Sequence, residues 1–355
     1  MRRLSTLSIL AAVGIAVAAF LVVCTSEPRA GTFGQEADIL DYLPRWSPDG
    51  HSIAFTRLTD GGYSYVYVVA FQGGRQTRLA EGDLPSWSGD GTRIAYYYSG
   101  GISTIKLDRS GRKRLTADGD WPLWSPDGRY ILFKRGQDDT NCYLLYVVPA
   151  AGGKARRIAA TADQFLTPAW SPDGTKVAFE IDTAGCGGLN LHPMTGIAVV
   201  GRDGRNLHQV THGDLSASGP AFSPDGSEIA YWGRNAATGQ PTLYVIPSAG
   251  GAKQKLFAGR GYPSGWPGCQ GCVWSSPAYS PDGTRIAYSL GQSIWVIGSD
   301  GANPRRITHP SHGYADFNQT WSPDGRTLAF RRGSDTSTRI WLVNSDGTHE
   351  RRLTH

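Results

Sequence analysis

Hydrophobic residues in this chain come in short alternating bursts separated by Gly, Pro and Asp. Seven bursts share one form: Ile53-Ala54-Phe55, Ile94-Ala95-Tyr96, Ile131-Leu132-Phe133, Val177-Ala178-Phe179, Ile229-Ala230-Tyr231, Ile286-Ala287-Tyr288 and Leu328-Ala329-Phe330. A period of two puts the outer pair on one face of a β-strand and the central residue on the other. Where that central residue is Ala, a neighbouring sheet can come close. A further alternating run follows each burst, for example Tyr65-Val66-Tyr67-Val68-Val69, Tyr143-Leu144-Leu145-Tyr146-Val147, Leu243-Tyr244-Val245-Ile246 and Ile340-Trp341-Leu342-Val343. Gly73-Gly74, Gly152-Gly153, Asp203-Gly204, Asp300-Gly301 and Asp346-Gly347 are then hairpin signals, and a short last strand such as Arg114-Leu115-Thr116 or Arg352-Leu353-Thr354 ends the unit.

Ahead of each burst stands one repeated phrase. It reads Trp46-Ser47-Pro48-Asp49-Gly50, Trp87-Ser88-Gly89-Asp90-Gly91, Trp124-Ser125-Pro126-Asp127-Gly128, Trp170-Ser171-Pro172-Asp173-Gly174, Phe222-Ser223-Pro224-Asp225-Gly226, Tyr279-Ser280-Pro281-Asp282-Gly283 and Trp321-Ser322-Pro323-Asp324-Gly325. Pro presets φ for a tight turn, Asp bonds its own nearby backbone, and Gly takes the left-handed position. The aromatic residue offers a large area for packing between sheets. Successive Asp residues of the phrase lie 41, 37, 46, 52, 57 and 42 positions apart, which suits a unit of four short strands with variable connections. Four antiparallel strands repeated radially make a propeller. The expected fold is therefore all-β, a seven-bladed β-propeller over residues 37–355. Whether Ala37 to Tyr42 adds a strand that closes the ring stays open.

The phrase, the Ile-Ala-aromatic strand and the Arg-Leu-Thr ending together resemble the TolB-like, WD-related propeller repeat over about residues 40–355. That resemblance implies the fold, and it is shared by periplasmic scaffold proteins, the propeller halves of prolyl-oligopeptidase-like enzymes and some sugar-acid lyases. TolB itself, by what its family implies, carries an α/β domain before a six-bladed propeller. Here the first repeat follows almost directly on the N-terminal segment, so the expectation is a TolB-like propeller other than TolB proper.

That segment, residues 1–30, reads as an export signal or membrane anchor. Arg2-Arg3 precedes a mostly apolar stretch from Leu4 to Val23, and the chain then turns polar at Thr25-Ser26-Glu27-Pro28. Leu21-Val22-Val23-Cys24 resembles a bacterial lipobox with Val23 in place of the motif's small residue, which makes Cys24 a lipidation candidate. The expected location is extracytoplasmic: periplasmic, cell-envelope or secreted, the segment being cleaved, lipidated at Cys24 or retained as a membrane tether.

Composition changes the picture little. A net charge of +5 over 355 residues gives nucleic-acid binding no support. Basic runs such as Arg112-Lys113-Arg114, Arg156-Arg157, Arg305-Arg306 and Arg351-Arg352 fall where outer edge strands are expected, and there they discourage edge-to-edge pairing. The Asp residues of the repeated phrase are structural on the same reading.

Candidate chemistry sits in the long connections. Those joining the second strand to the third, and the fourth to the next unit's first, share one face: Asp182 to Pro193, Gly233 to Pro241, Ala258 to Ser276 and His309 to Asn318. In propellers that resemble this one, partners meet that face around the central channel. The candidate contacts are therefore His192, His212, Trp266, Trp274, His309, His312 and Tyr314. Cys142 and Cys186 fall in corresponding connections of neighbouring units, where a disulfide competes with two free thiols. Cys269 and Cys272 read as a small disulfide ring ahead of half a zinc site or a redox pair.

No Gly-x-Ser-x-Gly elbow is present, which removes the peptidase reading. Two functions remain. The first is a non-enzymatic, monomeric propeller without a cofactor that binds a protein or cell-envelope polymer. The second follows from likeness to oligogalacturonate lyases, which hold a divalent metal through propeller-face histidines. It would place the metal at His212 and His309, where it would neutralise a substrate carboxylate.

Overall fold

The computed structural model describes residues 39–136, 143–161, 168–182, 195–212, 216–234, 240–258, 275–334 and 337–355. Among them twenty-eight strands follow one another in antiparallel sets of four, and each set is continuous in sequence. The first set is Leu40–Trp46, Ser52–Leu58, Ser64–Ala70 and Thr77–Glu81, called here the inner, second, third and outer strands of unit one. The inner strands of the later units are Asp83–Trp87, Asp120–Trp124, Ala169–Trp170, Ala217–Phe222, Ala278–Tyr279 and Ala315–Trp321. The chain is an all-β propeller.

The alternation read from the sequence decides how the units stack. Among the described residues seven hydrophobic clusters occur, and each draws on two consecutive units, the last pairing unit seven with unit one. Ile53 and Phe55 pack against Ala329, Ile340 and Leu342 of unit seven, whereas Ala54 packs against Trp87, Ile94 and Tyr96 of unit two. The large residues thus face backward and the Ala faces forward, with Ile53, Ala54 and Phe55 all fully buried. Each such Phe or Ile contributes about 1.5–3 kcal/mol. The aromatic residue of the phrase adds a directed bond. The indole Nε1 of Trp46, Trp87, Trp170 and Trp321 donates to the carbonyl of Thr320, Arg45, Leu123 and Ala278 in the preceding unit, at 2.9–3.2 Å. Trp124 instead donates to Gly128 in its own turn at 3.0 Å.

The repeated turn is a closed hydrogen-bond device. In all seven copies the Ser Oγ donates to the Asp Oδ1 at 2.5–2.6 Å. The same Ser Oγ accepts the N–H five residues on at 2.9–3.0 Å. The Asp Oδ1 also accepts the N–H two residues on. These bonds hold all seven carboxyls below the ordinary Asp value, Asp225 at about 2. Turn tips also touch in a ring: a Cβ on Gly50, Gly91, Gly226, Gly283 or Gly325 would lie 3.4–3.6 Å from the Pro of the preceding unit's turn. The one missing Pro has a steric reason, because a Cβ at Gly89 would stand 2.7 Å from the Pro126 carbonyl oxygen.

Unit one supplies its own four strands, so among the described residues no strand is exchanged to close the circle; Leu40 instead makes a single parallel bridge to Thr338. Thr338 N donates to the Ile39 carbonyl at 3.2 Å, Thr338 Oγ1 to the Asp41 carbonyl at 2.9 Å, and Arg339 Nη1 to the Ile39 carbonyl at 2.6 Å. Arg57 Nη2 donates to the His355 carbonyl at 3.3 Å, and Arg351 bonds the Phe71 carbonyl.

The basic runs do lie on outer strands, where Lys113–Arg114 and Arg305–Arg306 are exposed. Several of these arginines bend back: Arg114, Arg306 and Arg352 donate through Nε to the carbonyls of Thr116, Thr308 and Thr354 at 2.7–3.0 Å.

Candidate functional site

Strand direction puts the repeated turns and the third-to-outer turns on one face. The second-to-third and outer-to-inner connections lie on the other. Inner strands begin, and second strands end, at this second face. The molecule's buried charges collect there. Asp41, fully buried, accepts both arms of Arg57, from Nε at 2.6 Å and Nη2 at 2.7 Å. Asp316 does the same with Arg332, which also holds Glu350 at 2.5 and 3.0 Å. Burial works against the Arg332 charge, but the two carboxylates raise its pKa above the usual arginine value. Burial pushes the Asp316 carboxyl up despite that partner.

Asp83 accepts two bonds across the boundary of units one and two, from Tyr42 Oη at 2.7 Å and Thr56 Oγ1 at 2.8 Å, and a third from its own neighbour Leu84 N at 2.6 Å. Its pKa is raised by burial, and the Tyr42 phenol is pushed well above the ordinary tyrosine range by burial and by Asp83. Asp120 in unit three is raised to about 6, burial outweighing the attraction of Lys134. Asp120 Oδ1 is buried with no hydrogen-bond partner, while Lys134 is fully buried and lies 5.0 Å from the Trp121 ring centre. Glu180 accepts Gly219 N at 2.7 Å. Ser275 and Ser289 both donate to Gln319 Oε1 at 2.7 Å, a buried polar knot between units six and seven.

A recurrent kink shapes the start of the inner strands. Leu43, Leu84, Trp121, Gly219 and Asn318, each three residues before the aromatic of the phrase, have φ between 52° and 63°. The pairing register shifts beside each of them, as at a β-bulge. The residue that follows is Pro44, Pro85, Pro122, Pro220 or Gln319, and Pro168 and Pro277 hold the same place in the other two units. Proline suits a strand whose inner N–H has no ladder partner. This spacing, a Pro two residues ahead of six of the seven phrases, is the signal by which the sequence marks the channel wall. The structure also corrects one boundary: the connection expected to run from His309 to Asn318 ends at Tyr314, because the last inner strand starts at Ala315 and Asn318 is its bulge.

Of the candidate contacts, His212, His309, His312 and Tyr314 lie among the described residues and all are exposed. His212 and His309 hold equivalent positions. Each follows a threonine whose Oγ1 accepts a third-strand N–H: Thr211 from Ile197 at 2.8 Å and Thr308 from Ile294 at 2.9 Å. Thr116 and Thr354 accept from Ile102 and Ile340 in the same way, so the Thr of the Arg-Leu-Thr ending is a structural cap. Tyr314, 43% exposed, shares the face with Tyr63, 58% exposed in the second-to-third connection of unit one, which sequence reasoning passed over. His192, Trp266, Trp274, Cys142, Cys186, Cys269, Cys272 and Cys24 lie outside the described residues. Among the described residues no three His, Cys, Asp or Glu side chains group as metal ligands, and no helix is long and apolar enough to cross a membrane.

Two surface grooves, of about 510 and 450 Å³, occur on the opposite face, between units two and three and between units six and seven. Turn residues such as Asp90 and Asp127 line the first, and the hydrogen bonds just described already occupy those carboxylates. The buried polar groups of the other face make it the better candidate.

Comparison with known proteins agrees with this architecture. A TolB homolog of Chlorobium chlorochromatii is 30% identical over 129 residues, 36% of this chain and 26% of that protein. The matched stretch spans 26–31% of the length of three such homologues, those of Chlorobium chlorochromatii, Chlorobaculum tepidum and Chlorobium luteolum. An oligogalacturonate lyase in complex with manganese superposes with a TM-score of 0.65 at 16% identity, over 86% of this chain and 90% of that one. The β-propeller domain of the Trilobed protease from Pyrococcus furiosus, described as having an open velcro topology, superposes with a TM-score of 0.62 at 13% identity, over 91% and 97%. The model of the TolB beta propeller domain matches residues 35–173 and 196–355, and with most of its length so covered, the chain belongs to that family.

Proposed function

We propose that the protein is an exported seven-bladed propeller that binds a protein or cell-envelope partner through the face of the long connections, without catalysing a reaction. One observation carries the reading: exposed aromatic and imidazole side chains, Tyr63, Tyr314, His212, His309 and His312, stand at the end of the molecule where bidentate ion pairs fix the strand ends. Such a surface is preorganised, so binding costs little ordering of the scaffold. Seven inter-unit clusters support the count of blades, and the TolB homologues support protein partners and an extracytoplasmic location. On this reading residues 1–30 export or tether the chain, Cys142 with Cys186 and Cys269 with Cys272 form disulfides, and the monomer is the working form.

Photocrosslinking tests the face. A photoreactive residue at Tyr63 or Tyr314 should yield a discrete adduct in envelope extract, and one at Arg129 on the opposite face should not. Equal labelling from Arg129 would sink the proposal.

The second reading is a divalent-metal lyase acting on acidic polysaccharide, favoured by the equivalent, exposed positions of His212 and His309 and by the fold likeness to the manganese-bound lyase. Stoichiometric manganese in the purified protein and absorbance from unsaturated uronate, both lost in His212→Ala and His309→Ala, would replace the first reading with this one.

A further inference from the structure

Among the described residues, the wall of the central channel holds a cation without a partner. Arg45 lies on the inner strand of unit one, immediately before Trp46. Its counterparts in the other units are Ser86, Leu123, Ala169, Ala221, Ala278 and Thr320. The inner strands sit at the centre of the molecule, yet every residue of this ring except Ser86 is part-exposed. Water at that depth reaches them along the axis, so the ring lines the channel.

Arg45 is the one charged member of the ring, and among the described residues its guanidinium has neither a hydrogen bond nor an ion pair. The nearby acids are committed elsewhere, Asp41 to Arg57 and Asp83 to Tyr42, Thr56 and Leu84. Burial holds the Arg45 guanidinium below the ordinary arginine value, and no carboxylate acts on it. An arginine keeps its proton at neutral pH, so this guanidinium presents a fixed positive charge to whatever enters the channel.

Unit seven places a hydroxyl at this level in Thr320, which is part-exposed. Ser86 of unit two is instead buried, and its Oγ accepts Trp124 N of unit three at 2.9 Å. The rest of the ring, Leu123 and three alanines, is apolar. A guanidinium presents two parallel N–H groups that match an oxyanion, and the apolar arc suits a hydrocarbon body.

We propose that the channel binds a small organic carboxylate, its oxygens held by Arg45 with Thr320 and its apolar part against Leu123 and the alanines. This site is separate from the long-connection face and stands whichever function that face performs.

Melting temperature at fixed ionic strength, with sodium butyrate, acetate or phosphate replacing sodium chloride, tests it. Butyrate should raise the midpoint by at least about 1 °C, and acetate and phosphate by less. Arg45→Met should abolish the butyrate effect without lowering the midpoint in chloride, since it removes an unpaired charge and keeps the volume. Arg45→Lys, which retains charge but not the planar fork, should bind more weakly and serves if the Met variant does not fold. Equal midpoints in all salts, an undiminished butyrate response in Arg45→Met, or a phosphate response as large as that of butyrate would each overturn the proposal.

Discussion

Asp41→Ala probes the junction of the first and last units. The carboxylate is fully buried and accepts two short bonds from Arg57, whose side chain is only 11% exposed and stacks 5.0 Å from the Tyr67 ring centre. Removing one member of a buried ion pair strands the other and costs about 3–5 kcal/mol. Arg57 keeps its bond to the His355 carbonyl, so the lower end, about 3 kcal/mol, is expected. That is a large part of the roughly 5–15 kcal/mol of a typical folded domain. Urea unfolding at pH 7, followed by tryptophan fluorescence, should show the loss. Hydrogen exchange should quicken first in Leu40–Trp46 and Thr338–Asn344, the strands that meet there. The double variant Asp41→Leu, Arg57→Met should recover most of the stability, because it removes both charges and keeps the volume. The reasoning fails if Asp41→Ala costs less than about 1 kcal/mol, or if exchange quickens equally in Lys176–Asp182 across the ring.

Gly89→Ala forces a Cβ against the Pro126 carbonyl oxygen and should destabilise by about 1–3 kcal/mol, whereas Pro126→Ala in the next turn should cost less; thermal denaturation compares them. The turn carboxyls titrate below their unfolded value of about 3.9, so the stability they contribute is present above that pH and lost as pH falls through their depressed folded values, down to about 2 for Asp225. An acid titration by circular dichroism should therefore start to unfold the protein below about pH 4, and Ser223→Ala should move that onset upward. Asp120 has the opposite sign. Its folded pKa of about 6 lies above the unfolded value, so its contribution is full at acid pH and lost as pH rises through 6. Asp120→Asn should thus stabilise by about 1–2 kcal/mol at pH 8 and become neutral near pH 4, as denaturant midpoints at the two pH values would show.

Local chemistry made the fold readable. Turn, aromatic and alternating burst are each specified within about a dozen residues, and repetition multiplied the signal. The face assignment followed from strand direction alone. What lay hidden was whatever needs two units at once. Trp46 and Trp124 look alike in sequence, yet one donates to a neighbouring unit and the other to its own turn. Asp83 finds Tyr42 from 41 residues away, and Gln319 joins serines 44 and 30 residues distant. No short window contains such pairs. Arg45 was equally inconspicuous, because only superposing the seven phrases shows that its counterparts are uncharged. The histidines were found by type and position, while the bulges beside them needed the Pro spacing to be noticed.

Closure without an exchanged strand sets how the molecule carries load. A pull on the chain ahead of Ile39 acts first on the single Leu40–Thr338 bridge and the few bonds around it, before any complete four-strand ladder is strained. Tension applied there would unzip one strand from the rim inward, so the weakest mechanical point of the ring coincides with the point where the N-terminal residues join it.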